Sequence, residues 1–377
     1  MSWGGPSRAV VDLDAYTHNL EVARRFAESR ADIIAVIKAD AYGHGAVPVA
    51  RAAVRAGVSM LGVATVQEGM ELREAGLDMP VLVMVTPPPG DLPLAVANDL
   101  TLALSDVATA ERLGDLARDA GRVASIHCKV DTGMGRQGFS PGDAPDALQQ
   151  IARITHVDIE GVSTHFPAAE APDDPGTLAQ IKTFRQVLKQ LERRGVPFGF
   201  AHAANSAALI NYTDSLFDAV RPGLITYGVW PMDRPPARGL LRRVLRWETM
   251  VVQLRDLPAG ATVSYGRTYT APAPVRTAVL PVGYADGYRH ALSNNADVLI
   301  RGHRCPVLGR VCMDQTVVDV THLHDVRCGD TATLIGSDGD QTVTVEELAR
   351  RAGTIPYDIL TGIGKRVVRA YTGGAAV

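Results

Sequence analysis

Two textures of apolar and polar positions divide the chain. From residue 33 to about residue 230, short β-rich runs alternate with amphipathic stretches. The runs are "IIAVIK", "MLGVAT", "PVLVM", "LTLALS", "ASIHCKV", "DIEGVSTHF", "FGFAHAA" and "AVRPG". Helical patterns lie between them, among them "AVPVARAAVRAG", "VQEGMELREAG", "DVATAERLGDLARDAG" and "QIKTFRQVLKQLERRG". Each of these four ends in glycine, the residue that most readily turns left-handed after a helix. Strands alternating with helices indicate parallel pairing through crossover connections. Eight such units in roughly 200 residues suit a closed (β/α)₈ barrel, which typically takes about 250. The competing arrangement is a doubly wound open sheet, but no Gly-rich dinucleotide loop follows the first strand.

Beyond about residue 245 the texture changes to Val- and Thr-rich runs broken by Gly and Pro: "WETMVVQLRDLPAGATVSYG", "TAVLPVGYADG", "ADVLIRGHRCPVLGRVCMDQTVVDV" and "DTATLIG". These predict a mostly antiparallel β domain. One helix is expected within it, "VTVEELARRAG", opened by Thr344 with Glu347 three residues on. The expected division is a barrel over residues 1–240 and a β domain over 241–377. The first few residues are allowed to join the β domain, and the Pro-rich "WPMDRPPARG" (230–239) is the linker.

Composition narrows the class. The 377 residues are too many for one ordinary core, and a net charge of -3 with no basic block argues against a nucleic-acid partner. The densest basic cluster, "LRRVLR" at 241–246, reads as a solvated helix face or a domain edge. No window is apolar enough for long enough to span a membrane, and the N-terminus lacks the pattern of a secretory signal. Cys128, Cys305, Cys312 and Cys328 show no C-x-x-C pairing, so neither structural zinc nor a disulfide framework is expected. A soluble cytoplasmic protein without a bound metal is the expectation.

The chemistry centres on Lys38, at the carboxyl end of the first apolar run, where barrels gather their catalytic groups. A lysine desolvated there has a lowered pKa, and its amine can form a Schiff base with an aldehyde. A lone lysine at that rim would more often be snorkelling past it. Tyr42 follows four residues later, and "GHG" permits close backbone approach to a ligand.

"VIKADAYGHG" resembles the pyridoxal-phosphate attachment motif of alanine racemases. "KVDTGMGRQGF" (129–139), "STHF" (163–166), "HAANSAA" (202–208), "VRPGLITYG" (220–228), "VSYGRTYTA" (263–271), "PVGYADGY" (281–288), "GRVCMDQT" (309–316) and "TIPYDILTGIGKRVVRAY" (354–371) resemble that family in the family's order. The likeness covers nearly the whole chain. It implies a barrel followed by a β domain, as the pattern does, and pyridoxal 5'-phosphate attached at Lys38. It further implies that Tyr42, Ser206, the backbone of Gly223 and Leu224, and Tyr357 hold the phosphate. Ser206 on its own reads as a helix N-cap.

The resemblance puts Arg221 at the cofactor's ring nitrogen. An arginine can only donate there, which leaves the nitrogen unprotonated and limits the ring as an electron sink, whereas a carboxylate would deepen it. His165 and His202, at neighbouring strand ends, are candidate partners for Arg221, each equally readable as a structural histidine. Racemisation needs acid–base groups on both faces of a planar carbanion. The family pattern assigns Lys38 to one and Tyr265 to the other. A phenol titrates near pH ~10 in water, so such a base needs cationic neighbours. Tyr265 and Met313 are implied to come from a second copy, making a homodimer with composite sites. Met313 would receive the substrate carboxylate on its backbone N–H with Asp314 nearby. Arg136 is implied near that carboxylate, and Lys129 at a position that many members carbamylate.

Departures are few: Pro167 stands where alanine is frequent, and Val368 where proline is. The activity implied is interconversion of L- and D-alanine, feeding D-alanine to peptidoglycan, with Tyr284 and Tyr357 narrowing the entrance to a small side chain. Three alternatives remain: a racemase of serine or of a wider range, a barrel-type amino-acid decarboxylase, and a non-catalytic pyridoxal-phosphate-binding protein. The decarboxylase would require an acidic partner at the ring nitrogen, and the binding protein would not need residues 245–377.

Overall fold

In a computed structural model, which describes residues 4–232, 236 and 239–374, the eight apolar runs form a closed parallel barrel. Its strands are β1 (Asp32–Val36), β2 (Met60–Val63), β3 (Val81–Val83), β4 (Thr101–Leu104), β5 (Ala124–Lys129), β6 (Val157–Ser163), β7 (Phe200–His202) and β8 (Ala219–Val220). Pairing of Ile33 with Val220 closes the ring. The barrel therefore prevails over the doubly wound sheet. Ile34, Met60, Leu82, Ala103 and Ala219 cluster in its core, with Met84 and Phe200 packed against them. Burial on both faces is what makes these strands read as unbroken apolar runs.

The crossover helices include Ala46–Arg55, Val66–Glu74, Val107–Asp119 and Pro175–Arg193. Gly57, Gly76, Gly121 and Gly195 follow these four with left-handed backbone, as the sequence predicts. Thr65 and Glu68 form a reciprocal capping box at the start of Val66–Glu74.

The chain divides into two compact units. One comprises Thr17–Ala41 and Ala46–Leu241 and contains the barrel; the other comprises the residues up to Tyr16, Tyr42–Gly45, and those from Arg242 onward. In the second unit a seven-stranded sheet runs in the order His303–Pro306, Asp297–Ile300, Thr331–Asp338, Leu245–Met250, Ser7–Asp12, Val368–Thr372, with Gln341–Val343 added to Thr331–Asp338. All its pairings are antiparallel except that of Ser7–Asp12 with Val368–Thr372, where Val368 lies beside Arg8. A second sheet joins Gln253–Leu257, Val275–Leu280 and Thr316–Asp319 antiparallel.

Thr344 caps the predicted helix, Val345–Ala352, by accepting from the Glu347 N–H at 3.0 Å. The basic cluster is not a helix face: it leads into the strand Leu245–Met250, and Arg243 pairs with Glu346 at 2.7 Å. The expected linker at 230–239 lies partly outside the described residues. Among the described residues no helix is long and apolar enough to cross a membrane, and no group of three or more His, Cys, Asp or Glu converges as a metal site. All four cysteines are free thiols.

Candidate active site

Lys38 opens a tight turn at the end of β1. Ala39, Asp40, Ala41 and Tyr42 hold φ of 53°, 53°, 51° and 54°, so four consecutive L-residues are left-handed. That conformation costs about 1–2 kcal/mol per residue, and it persists only where surrounding bonds enforce it. Here the Ala41 N–H donates back to the Ile37 carbonyl at 2.8 Å, and the Ala39 N–H donates to Glu68 Oε1 at 2.7 Å. Asp40 Oδ1 accepts from the Ala46 N–H at 2.7 Å. Glu68 thus serves twice, in its own helix cap and in holding the Lys38 turn. Burial lowers the Lys38 pKa, the charges of Arg136 and Arg221 lower it further, and Glu68 partly opposes them.

Around Lys38 the carboxyl ends of the strands collect cations. Lys129 is buried at the end of β5, and burial with Arg136, Arg221 and Lys38 brings its amine down to about 8 against the pull of Asp131. Arg221, just after β8, is buried; burial lowers it to about 10, so it stays a cation at neutral pH. Its Nη2 donates to the carbonyls of Thr164 at 2.8 Å and Ala203 at 2.9 Å and to His165 Nδ1 at 3.2 Å. Its Nη1 bonds His202 Nδ1. Burial, then Arg221 and the other cations, drive His165 down to about 2 and His202 well below its usual value. Burial and the neighbouring guanidinium both disfavour a charged imidazole at either position. Every group bonded to the guanidinium is a carbonyl or a histidine ring nitrogen.

Arg136 is placed by a residue the sequence reading passed over. Asp131 accepts from the backbone N–H groups of Gly133, Met134 and Gly135 on Oδ1 and of Arg136 on Oδ2, at 2.7–3.2 Å. An Asp followed by a Gly-rich stretch is the signature of such a turn. Burial raises the Asp131 carboxyl, but the four amides together hold it below its ordinary 3.8. A carboxyl with a depressed folded pKa contributes stability above its unfolded value and loses it as pH falls through the folded one. The 131–136 loop should accordingly loosen only below about pH 4, measurable as faster amide exchange there. Asp131→Ala should cost roughly 10–100-fold in steady-state kcat/KM, by releasing Arg136 from its position.

The loops after β7 and β8 each lead into a short helical start. Asn205, not Ser206, caps the helix Ser206–Asn211, accepting from Ala207 and Ala208 at 3.1 and 2.9 Å. The Asn205 backbone is extended and its side chain reaches both amides. Ser206 is instead the first helical residue, and its Oγ accepts from the Gly223 N–H at 2.9 Å. Leu224 begins the next tight turn, Leu224–Tyr227, so its N–H has no acceptor within that turn. The Ser206 hydroxyl and the Leu224 N–H, with the crowded cations at the same strand ends, suit a phosphate ester. The buried, donor-only Arg221 suits an aromatic nitrogen acceptor, and the amine of Lys38, its pKa lowered, suits an aldehyde. Pyridoxal phosphate fits these donors.

In the other unit, Tyr42 and Tyr357 place their rings 5.8 Å apart, and burial raises the Tyr42 phenol. Gly43 passes so close to the Leu360 carbonyl that a Cβ would lie 2.4 Å from its oxygen. Tyr265 is 73% exposed, presented by a turn in which Ser264 and Arg267 have φ of 65° and 51°. Met313 and Tyr284 are also exposed and lie on adjoining loops: the Tyr284 and Ala285 N–H groups donate to the carbonyls of Cys312 and Met313, both at 3.0 Å. Arg366 ties the two loops, pairing with Asp286 at 3.1 Å and Asp314 at 2.7 Å. The crossing is tight: a Cβ on Gly283 would stand 2.2 Å from the Cys312 oxygen and 2.4 Å from that of Met313. Gly283→Ala should force the loops apart, lowering stability by about 1–3 kcal/mol in denaturant unfolding.

A barrel with a lysine of lowered pKa at its rim, cations around it and a separate β unit presenting an exposed phenol has the makings of a barrel-type enzyme. The models of the alanine racemase N-terminal and C-terminal domains match residues 11–231 and 244–371. The chain is 43% identical to the alanine racemase of Symbiobacterium thermophilum, over 98% of each chain. Its fold matches the solved alanine racemase of Streptomyces coelicolor A3(2) with a TM-score of 0.93 at 37% identity, covering 98% of each chain. It also matches the alanine racemase of Bartonella henselae with covalently bound pyridoxal phosphate, with a TM-score of 0.88 at 28% identity, covering 98% of this chain and 100% of that one. The chain belongs to the alanine racemase family, a family of isomerases.

Proposed function

We propose that the protein interconverts L- and D-alanine with pyridoxal 5'-phosphate, using Lys38 and the Tyr265 of a second copy as opposed bases. The observation that carries this reading is the surroundings of Arg221: a buried guanidinium whose bonded partners include no carboxylate, beside a lysine depressed by burial. When bound, the cofactor supplies an electron sink that lets the α-hydrogen of an amino acid leave as a proton. Arg221, able only to donate, keeps that sink shallow, which favours returning a proton to the same carbon over other outcomes.

Lys38 and Tyr42 in one segment, the Ser206 region, the amides of Gly223 and Leu224, and Tyr357 would hold the cofactor. Arg136 and the Met313 N–H would orient the substrate carboxylate, with Asp314 fixing the Met313 loop through Arg366. Lys129, carrying a carbamate, would turn from a repelling neighbour of Arg136 into an attracting one; carbon-13 NMR after exposure to labelled bicarbonate tests this. Lys38 takes or returns the proton at the α-carbon on one face, and Tyr265 of the second copy does so on the other. The exposure of Tyr265, Tyr284 and Met313 supports a homodimer that covers this face. The place we assign the reaction is the cytoplasm, making D-alanine for peptidoglycan.

The direct test is incubation with L-alanine in deuterated water, pyridoxal phosphate present. Racemisation with deuterium at the α-carbon supports the proposal. Release of carbon dioxide would make the protein a decarboxylase, and no turnover a binding protein. Turnover of serine, lysine or arginine comparable to alanine would replace the narrow substrate range by a broad one.

A further inference from the structure

We infer that Glu160, remote from the strand ends that carry Lys38, is a positioning residue for Arg221, acting through His127 and His202. The inference rests on the proposed placement of Arg221 at the cofactor. Four side chains form a continuous hydrogen-bonded row through the barrel interior. Arg221 Nη1 bonds His202 Nδ1; His202 Nε2 lies 2.7 Å from His127 Nδ1; His127 Nε2 lies 3.3 Å from Glu160 Oε2. Both histidines are buried, whereas the Glu160 side chain is 28% exposed. It lines a small polar cleft of about 140 Å³ with Pro80, Thr101, Ala124 and Ser125, residues at the starts of barrel strands. The row thus links the barrel's amino-terminal mouth to the end where Arg221 sits.

The chemistry of its ends fixes its direction. A guanidinium can only donate and a carboxylate can only accept. Two neutral imidazoles each carry one N–H. Only one arrangement satisfies all three bonds: Arg221 donates to His202 Nδ1, His202 Nε2–H donates to His127 Nδ1, and His127 Nε2–H donates to Glu160. Both rings must therefore be Nε2–H tautomers. Reversing His202 would turn its N–H toward that of Arg221, and reversing His127 would set its N–H against that of His202 and a lone pair against the carboxylate.

The surroundings hold this arrangement in place. Glu160 Oε2 also accepts from Thr101 Oγ1 at 3.1 Å, so a second donor fixes the carboxylate. The bond to His127 leads in drawing the Glu160 carboxyl below its usual value, against the effect of burial. Phe200 packs edge-on to His127 with centroids 5.1 Å apart. Gly161 makes room for the ring: a Cβ there would lie 3.0 Å from three of its atoms. A histidine placed only to fill the barrel would need no such line of single-direction bonds.

The test uses the enzyme loaded with pyridoxal phosphate and labelled with nitrogen-15 at histidine, in three forms: unaltered, Glu160→Gln and Glu160→Leu. Two-bond proton–nitrogen correlations report each ring tautomer. His127 and His202 should both be Nε2–H in the unaltered enzyme and in Glu160→Gln, whose amide oxygen still accepts. In Glu160→Leu, Arg221 still holds His202 as Nε2–H and His127 Nδ1 still accepts from it, so the tautomers stay. The His127 Nε2–H, its acceptor lost, should shift its nitrogen-15 resonance and exchange faster with water. Removing an outer partner that orients an inner group typically costs ~10–100-fold, so kcat for alanine should fall roughly tenfold in Glu160→Leu with KM changed less than about twofold. Glu160→Gln should recover most of that loss. An Nδ1–H tautomer at His127 in the unaltered enzyme would overturn the inference, as would an unchanged His127 Nε2–H resonance and kcat in Glu160→Leu or equal losses in both variants. A protein that showed the expected tautomers but no racemisation in any form would overturn the proposed function instead.

Discussion

Lys38→Ala should leave the fold intact and reduce racemisation by at least about 10⁴-fold, the combined scale of losing a covalent tether and a proton-transferring group. The side chain stands at the rim of a barrel whose strand core does not include it, so removing it opens no large hole. It relieves crowding instead, because Lys38 is one of the charges that lower Lys129. The visible absorption of the lysine-linked cofactor should disappear with the activity, while phosphate-containing cofactor continues to bind through the other donors. Absorption spectroscopy with an equilibrium-dialysis measurement of bound cofactor separates the two. Retention of the visible band in Lys38→Ala would put the attachment elsewhere.

Tyr265→Phe should lower racemisation by about 10²–10⁴-fold, the usual contribution of one general acid–base group, while leaving half of the chemistry running. With the opposite base intact, the α-hydrogen of one enantiomer should still exchange with deuterated water, without inversion. The other enantiomer should not exchange. Proton NMR of L-alanine and D-alanine incubated separately reads this directly. Equal loss of exchange from both would mean that Tyr265 serves the fold or the cofactor and not one face of the substrate. The turn that displays it, with two L-residues in the left-handed region, carries strain of the kind that collects at functional sites.

The barrel is legible because its strands are short, apolar and bounded by helical patterns of different period. The partner of the first strand is not: Ser7–Asp12 pairs with Leu245–Met250 and Val368–Thr372, more than 230 residues away, and nothing in "SRAVVD" announces those neighbours. Lys38 stands out in the sequence, but the handedness of its turn does not. Ala-Asp-Ala-Tyr has no intrinsic preference for left-handed backbone, and one of the bonds that hold it comes from Glu68, 29 residues from the amide it accepts from. Ser206 reads as a cap and proves to be a bracket for the Gly223 amide, because the neighbouring Asn205 takes the capping bonds. The row from Glu160 to Arg221 is invisible in the chain, since its members lie on three strands and the loop after a fourth, joined by the barrel's register.

Co-expression of Lys38→Ala and Tyr265→Ala chains carrying different tags, with isolation of the mixed dimer through both tags, tests the composite arrangement most directly. In that dimer one site would hold Lys38 of one copy and Tyr265 of the other, and the second site would lack both. About half of the unaltered dimer's racemase activity is expected to return, from parents that are each nearly inactive. A mixed dimer no more active than its parents would mean that the two residues serve a site within one chain, or do not serve together at all.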